Sequence, residues 1–234
     1  MRTRLKGIIT AVKKEGLFRV LKELIRFRIY LPARRLYGLL LDRYYRIDTE
    51  EIAALDSLGV PLTAGERCES TPIGEMLRVL KLLEIGPADV FLDLGCGKGR
   101  AMILAGSKPF KKIVGVDISD QLIKIAERNL QIMKPRLACK NYELVAANAL
   151  DYEIPAEVTH LYLFNPFPYP ILDQVLRSAR RSIKEKQRKV TFIYYNPKYA
   201  REAERDHRLV KIRSVEFPHW SLYLSKCNIY QLTA

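Results

Sequence analysis

The segment Val90-Phe91-Leu92-Asp93-Leu94-Gly95-Cys96-Gly97-Lys98-Gly99-Arg100 gathers residue types that can do chemistry. A short apolar run ends at an acid, three glycines follow at alternate positions, and the small-residue stretch Ala101 to Gly106 reads as helix. Strand, glycine turn and helix in that order bring backbone close to a ligand. Glycine tolerates positive φ and carries no side chain, and the helix start offers free N–H groups. The spacing narrows the ligand. A dinucleotide fingerprint needs G-x-G-x-x-G, whereas these glycines run G-x-G-x-G. A phosphate-binding loop needs G-x-x-x-x-G-K-[ST]; here no Ser or Thr follows Lys98 to hold magnesium. Asp93 would repel a pyrophosphate, and an acid beside a glycine turn suits a ligand with an ammonium group. A second buried-type strand, Ile113-Val114-Gly115-Val116-Asp117, also ends in an acid, 20 residues after Gly97.

With these two elements the chain resembles the class I S-adenosylmethionine-dependent methyltransferases, whose first motif is acid-x-G-x-G-x-G at the end of the first strand. The resemblance implies S-adenosyl-L-methionine as cofactor. It assigns the methionine part to the backbone of Gly95, Cys96, Gly97 and Gly99, with Asp93 near the amino group. Asp117 would accept from the ribose hydroxyls and Ile118 would pack on adenine. Asn148, followed by Ala149, stands where the family often has an acid bonding the adenine amino group; an amide oxygen can accept the same bond. The acceptor-side motif falls on Asn165, Pro166 and Phe167, a partial match to the Asn/Asp-Pro-Pro-Tyr/Phe of amino and amide methylases. Its carbonyl groups would orient an acceptor nitrogen, with Phe167 as a wall. The likeness is nearest to small uncharacterised bacterial members with Asn-Pro-Phe after the fourth strand, and looser to non-SET protein-lysine methylases. The methyl acceptor is not identified: protein amine, nucleic acid, glycan and small molecule all stay open, with the partial Asn-Pro-Phe match favouring a nitrogen such as a protein lysine and the basic N-terminal segment an envelope-associated acceptor. A non-catalytic cofactor-binding scaffold of the same fold is the alternative. A nicotinamide dehydrogenase is disfavoured by the glycine spacing.

The chain's other reactive residues add little. Cys68, Cys96, Cys139 and Cys227 form no C-x-x-C pair, and His160, His207 and His219 no metal pair, so no metal is expected. Cys96 has no adjacent base that would make it a nucleophile. No apolar run reaches the roughly 20 residues of a membrane span. The N-terminus lacks a signal-peptide pattern, so the expected location is cytoplasmic.

Elements must position these residues. The net charge of +14 is uneven: residues 1–47 carry 13 Lys/Arg against 3 Asp/Glu, and the remainder is nearly balanced. Within 15–30, Leu17, Val20, Leu21, Leu24, Ile25 and Phe27 form a helical stripe bordered by basic residues, and an apolar-aromatic pattern resumes from Leu36 to Tyr45. Three readings stay open: a helical extension packed on the domain, an amphipathic element on an anionic membrane at its inner face, or a nucleic-acid contact. Residues 48–70 read as a connecting segment, with helix-cap chemistry at Asp48-Thr49-Glu50-Glu51; the resemblance further implies that Glu69-Ser70-Thr71-Pro72 folds over the cofactor. The body, 71–234, alternates: helix 73–83, strand 90–94, helix from 101, strand 113–117, helix 121–131, strand 142–146, strand 160–164, helix 171–183, strand 190–195, a short helix within 198–206, and strands 209–217 and 222–232. Tyr194-Tyr195-Asn196-Pro197 reads as core tyrosines plus a turn, or else as part of the acceptor rim. The alternation predicts an α/β fold: a three-layer, Rossmann-like, seven-stranded mostly parallel sheet with one antiparallel strand, plus the N-terminal helical extension.

Overall fold

The computed structural model describes residues 31–50, 70–164, 168–217 and 225–234. The stripe within 15–30, residues 51–69 of the expected connecting segment, and the first residues of the strand expected over 222–232 lie outside the described residues. Helix α1 (Leu31–Tyr45) precedes α2 (Ile73–Lys81). There follow β1 (Val90–Leu94), α3 (Arg100–Gly106), β2 (Lys112–Asp117), α4 (Asp120–Met133), β3 (Tyr142–Ala146) and β4 (His160–Phe164). The described chain closes with α5 (Tyr169–Glu185), β5 (Val190–Tyr195), α6 (Ala200–Ala203), β6 (Leu209–Phe217) and β7 (Ser225–Leu232).

The seven strands form one sheet in the order β3-β2-β1-β4-β5-β7-β6. Strand β7 runs antiparallel to β5 and β6, and the other pairings are parallel, so it is the one reversed strand. Its reversal follows from the short span between Phe217 and Ser225, which is too few residues for the crossover that a parallel pair needs. Strand order turns round between β1 and β4. In open α/β sheets that switch point is where ligands bind, beyond the strands' carboxyl ends.

Strand β1 is buried along its whole length, because helices cover both faces of the sheet. Val90, Leu92 and Leu94 join the core under α5, with Leu172, Val175, Leu176, Ala179 and Ile183. Phe91 faces the other core, with Met76, Val79 and Leu80 of α2, Met102 of α3 and Leu130 of α4. At Gly115 in β2, a Cβ would collide with the Met102 thioether, so this glycine lets α3 lie close on the sheet.

Local signals fix the helix ends. Ser119 caps α4, its hydroxyl accepting from Leu122 N at 3.4 Å, which starts the helix one residue before the expected Gln121. Pro168 and Pro170 start α5 at Tyr169, two residues early, since proline is tolerated in a first turn. The expected helix within 198–206 reduces to Ala200–Ala203 followed by turns.

Candidate cofactor and acceptor site

The β1–α3 connection is a backbone cradle. Gly95, Gly97 and Gly99 have φ of 83°, 52° and 82°. A side chain at any of them would sit in a strained left-handed conformation. The loop is tied to β2: Gly95 N and Cys96 N both donate to Val116 O, at 2.8 and 3.0 Å. Gly97 N donates to Asp117 Oδ2 at 2.8 Å, and Gly99 N returns to Cys96 O at 2.9 Å. Gly99 caps α3, and a Cβ there would stand 3.2 Å from Ala126 Cβ on α4. Cys96 is buried, its sulfur within 3.0 Å of where a Gly115 Cβ would lie, so its side chain packs inward and only its backbone faces the cradle.

Two carboxylates flank the cradle. Asp93, the penultimate residue of β1, is 3% exposed; burial, reinforced by the charge of Asp117, pushes its carboxyl up to about 8. Asp117 ends β2. Its Oδ1 accepts from Ser119 N at 3.0 Å while Oδ2 holds Gly97 N. Burial raises its pKa, and the N–H groups of Ser119, Gly97 and Ile118 oppose that rise. Two bonded N–H groups leave lone pairs on the carboxylate for further donors. Ile118 is 55% exposed beside it, an apolar platform open to solvent. Asn148 and Ala149 follow β3, whose end is tied to β2 by Ala147 N donating to Asp117 O at 3.0 Å. The Asn148 amide oxygen accepts from Leu150 N at 3.1 Å, forming a side-chain turn that leaves one lone pair.

This arrangement fits S-adenosylmethionine. A carboxyl held near 8 by burial and a neighbouring acid is one that a ligand ammonium stabilises in its ionised form. A glycine cradle admits close backbone approach, and Asp117 with Ile118 presents an acceptor beside an apolar surface, as a nucleoside requires.

Across the switch point, Asn165, Pro166 and Phe167 lie outside the described residues. Aromatic packing joins the described ends of β4 and β5. Phe164 meets Tyr195 edge-on at 4.7 Å between ring centroids. Tyr194 and Tyr195 are buried, and Asn196 turns the chain with φ 49°, so this cluster is core plus turn. Tyr195 hydroxyl donates to Glu75 of α2. Thr71 hydroxyl bonds Tyr162 hydroxyl at 3.1 Å, and Tyr162 is the β4 partner of Asp93. The start of α2 therefore lies across the carboxyl ends of β4 and β5.

A second group of residues surrounds the cradle, and sequence reasoning missed it. Lys98 and Arg100 flank Gly99. Lys98 Nζ pairs with both oxygens of Asp48, at 2.7 and 2.8 Å. Arg100 Nε donates to Thr49 Oγ1 at 2.7 Å, and its guanidinium pairs with Glu50 and, at 3.4 Å, with Asp42 of α1. Asp42 also accepts from the N–H groups of Thr49 and Glu50, each at 2.6 Å, and from Thr49 Oγ1 at 2.7 Å. Asn129 of α4 closes the knot: its amide donates to Asp48 O and Lys98 O, at 2.6 and 3.0 Å, and accepts from Asp48 N at 2.9 Å. Gly38 makes room for it, since a Cβ there would collide with the Glu50 carboxylate. Asp42, Thr49, Glu50, Arg100 and Asn129 are all buried. The one sequence signal was the pair of cations beside the third glycine, with no ligand role to occupy them.

Comparison with known proteins agrees with the fold. Residues 91–186 match the family described as "Methyltransferase domain". A protein-lysine N-methyltransferase of Saccharolobus islandicus is 41% identical over 63 residues, covering 26% of this chain and 38% of that protein. An rRNA N(6)-adenosine-methyltransferase of Caenorhabditis elegans is 35% identical over 78 residues, 32% of this chain and 35% of that protein. The matched stretch thus spans little more than a third of either curated relative. Among solved structures, an RNA methyltransferase from Salinibacter ruber bound to S-adenosyl-L-homocysteine superposes with TM-score 0.51 at 21% identity, over 70% of this chain and 93% of that one. A geranyl diphosphate C-methyltransferase from Streptomyces coelicolor gives 0.52 at 19%, over 77% and 87%. Residues 91–186 are thus similar to that family, and the sheet has the Rossmann-like fold of these methyltransferases.

Proposed function

We propose that the protein transfers the methyl group of S-adenosylmethionine to a nitrogen acceptor. The observation that carries the cofactor half is the pair of buried carboxylates, Asp93 and Asp117, beside a turn whose three glycines all have positive φ. Asp93 meets the ammonium, the cradle backbone meets the amino-acid portion, Asp117 accepts from the ribose, and Ile118 covers one face of the base. Asn148 takes the adenine amino group on its remaining lone pair. When bound, the cofactor supplies an activated methyl group on sulfonium, a good leaving group. The chain's own work is then to position the acceptor and exclude water.

Nitrogen is favoured by two lines of support. The two curated relatives are named for nitrogen acceptors, a lysine amine and an adenine amine. The Asn165-Pro166-Phe167 stretch directly follows β4, where an Asn side chain and adjacent carbonyls accept from an acceptor N–H and turn its lone pair toward the methyl group. Calorimetry with S-adenosylhomocysteine tests the cofactor half; no heat at millimolar ligand defeats it. Labelling of a fractionated host lysate with tritiated methyl donor, followed by separate protease and ribonuclease digestion, tests the acceptor half. Label on oxygen or carbon defeats the nitrogen assignment, and cofactor binding with no labelled product defeats transfer itself.

A further inference from the structure

Helix α1 is inside out. Its buried side is made by Gly38 and Asp42, which sit on the polar knot with Thr49, Glu50 and Arg100. Its outward side carries Leu36 and Leu40, each 57% exposed, Tyr37 at 54% and Tyr44 at 77%. Leu36, Leu40 and Tyr44 recur every four residues, which stacks them into one ridge, with Tyr37 alongside. A helix in a water-soluble domain normally turns its apolar stripe to the core. Here the polar bonds of Asp42, together with Tyr45 packed on the core at the helix end, hold the helix, and the apolar ridge faces away.

Charge surrounds this ridge with one sign. Arg35, Arg43 and Arg46 are exposed and Arg34 is half-buried. The helix has one acid, Asp42, which is buried and committed to the knot. The whole stretch 1–47 carries 13 Lys/Arg against 3 Asp/Glu. An apolar ridge in a cationic border matches the boundary between acyl chains and anionic headgroups. RNA would use the arginines and leave the leucines idle. A second copy of the chain would bring like-charged borders together.

We propose that the outward face of α1 docks on an anionic lipid bilayer, with Leu36, Leu40 and Tyr44 entering the headgroup boundary and Arg35, Arg43 and Arg46 meeting lipid phosphates. The proposal stands apart from the methyl-transfer reading and survives its failure. Co-sedimentation of the full chain with vesicles of phosphatidylcholine and phosphatidylglycerol in equal parts tests it, against phosphatidylcholine alone. The full chain binds the anionic vesicles, and rising salt releases it. Leu36→Glu with Leu40→Glu weakens binding by about tenfold or more, while the melting temperature and S-adenosylhomocysteine affinity hold, because both leucines face solvent. Arg35→Glu with Arg43→Glu, also at exposed positions, weakens it by at least roughly fivefold per residue. Absence of vesicle binding by the full chain overturns the proposal. So does undiminished binding by the double-leucine variant, a Leu36/Leu40-dependent dimer that ignores vesicles, or binding to homopolymer RNA without binding to vesicles.

Discussion

The two halves of the carboxyl rim are built differently. On the β1–β2 side, the candidate site is backbone plus two carboxylates, contained in residues 93–99 and 116–119 and tied together by hydrogen bonds within those two stretches. On the β4–β5 side, the polar groups of Tyr162 and Tyr195 are taken up by Thr71 and Glu75 of a distant helix start. One half is a local device, with its geometry set by glycine and a single β-pair. The other is assembled from segments far apart in the chain. A group that must hold an invariant ligand suits the first kind of construction; a surface that must fit a particular acceptor suits the second.

That contrast can be tested, beginning with the largest expected effect. Arg100→Ala leaves Asp42 and Glu50 buried without their cation, and removing one partner of a buried ion pair costs about 3–5 kcal/mol. Urea denaturation should show that loss, together with weakened cofactor binding because Arg100 adjoins Gly99. A loss below about 1 kcal/mol would mean that the knot is peripheral to the local device.

Next comes pH. The folded state holds the Asp93 proton up to about 8, whereas the unfolded chain releases it near the ordinary value of 3.8. The native state therefore binds more protons across that window, and this group's stability contribution is full below it and falls as pH rises toward about 8. In the ligand-free protein, Asp93→Asn should flatten the decline by a few kcal/mol, read as melting temperature against pH. A wild-type slope unchanged by the substitution would remove Asp93 as its source.

Asp117→Ala should weaken S-adenosylhomocysteine binding by about 1–3 kcal/mol, the scale of hydrogen bonds to a charged partner. Calorimetry checks it, with circular dichroism to confirm that the loop retains its fold after Gly97 N and Ser119 N lose their acceptor. Smallest is Asn165→Ala, which should leave cofactor affinity within about 0.5 kcal/mol while lowering methyl transfer. If it abolishes cofactor binding in a folded protein, the division of the rim into two halves fails.

The same contrast explains what the sequence revealed. Strands 142–146, 160–164, 190–195 and 209–217 were legible to the residue, because apolar runs bounded by turn residues carry the signal locally. Helix ends slipped by one or two residues where a cap decides them, as at Ser119 and Pro168. The cradle was legible because its residues are contiguous and its partner acid ends the next strand. The knot was not. The bonds that tie residues 42–50 to Lys98, Arg100 and Asn129 join positions 50 to 81 residues apart, and Asp48-Thr49-Glu50 taken alone looks like helix-cap chemistry. In the fold, Asp48 and Glu50 pair with loop cations, while Asp42 supplies the bonds to the Thr49 and Glu50 N–H groups.

The knot also makes amide hydrogen exchange a remote reporter of the cradle. The N–H groups of Thr49 and Glu50 bond to Asp42, which is fixed by the same guanidinium that begins α3. For those amides to exchange, this cluster must open, and opening it frees both cations beside Gly99. A ligand that closes the glycine turn therefore slows exchange at residues it never touches, some 50 positions earlier in the chain.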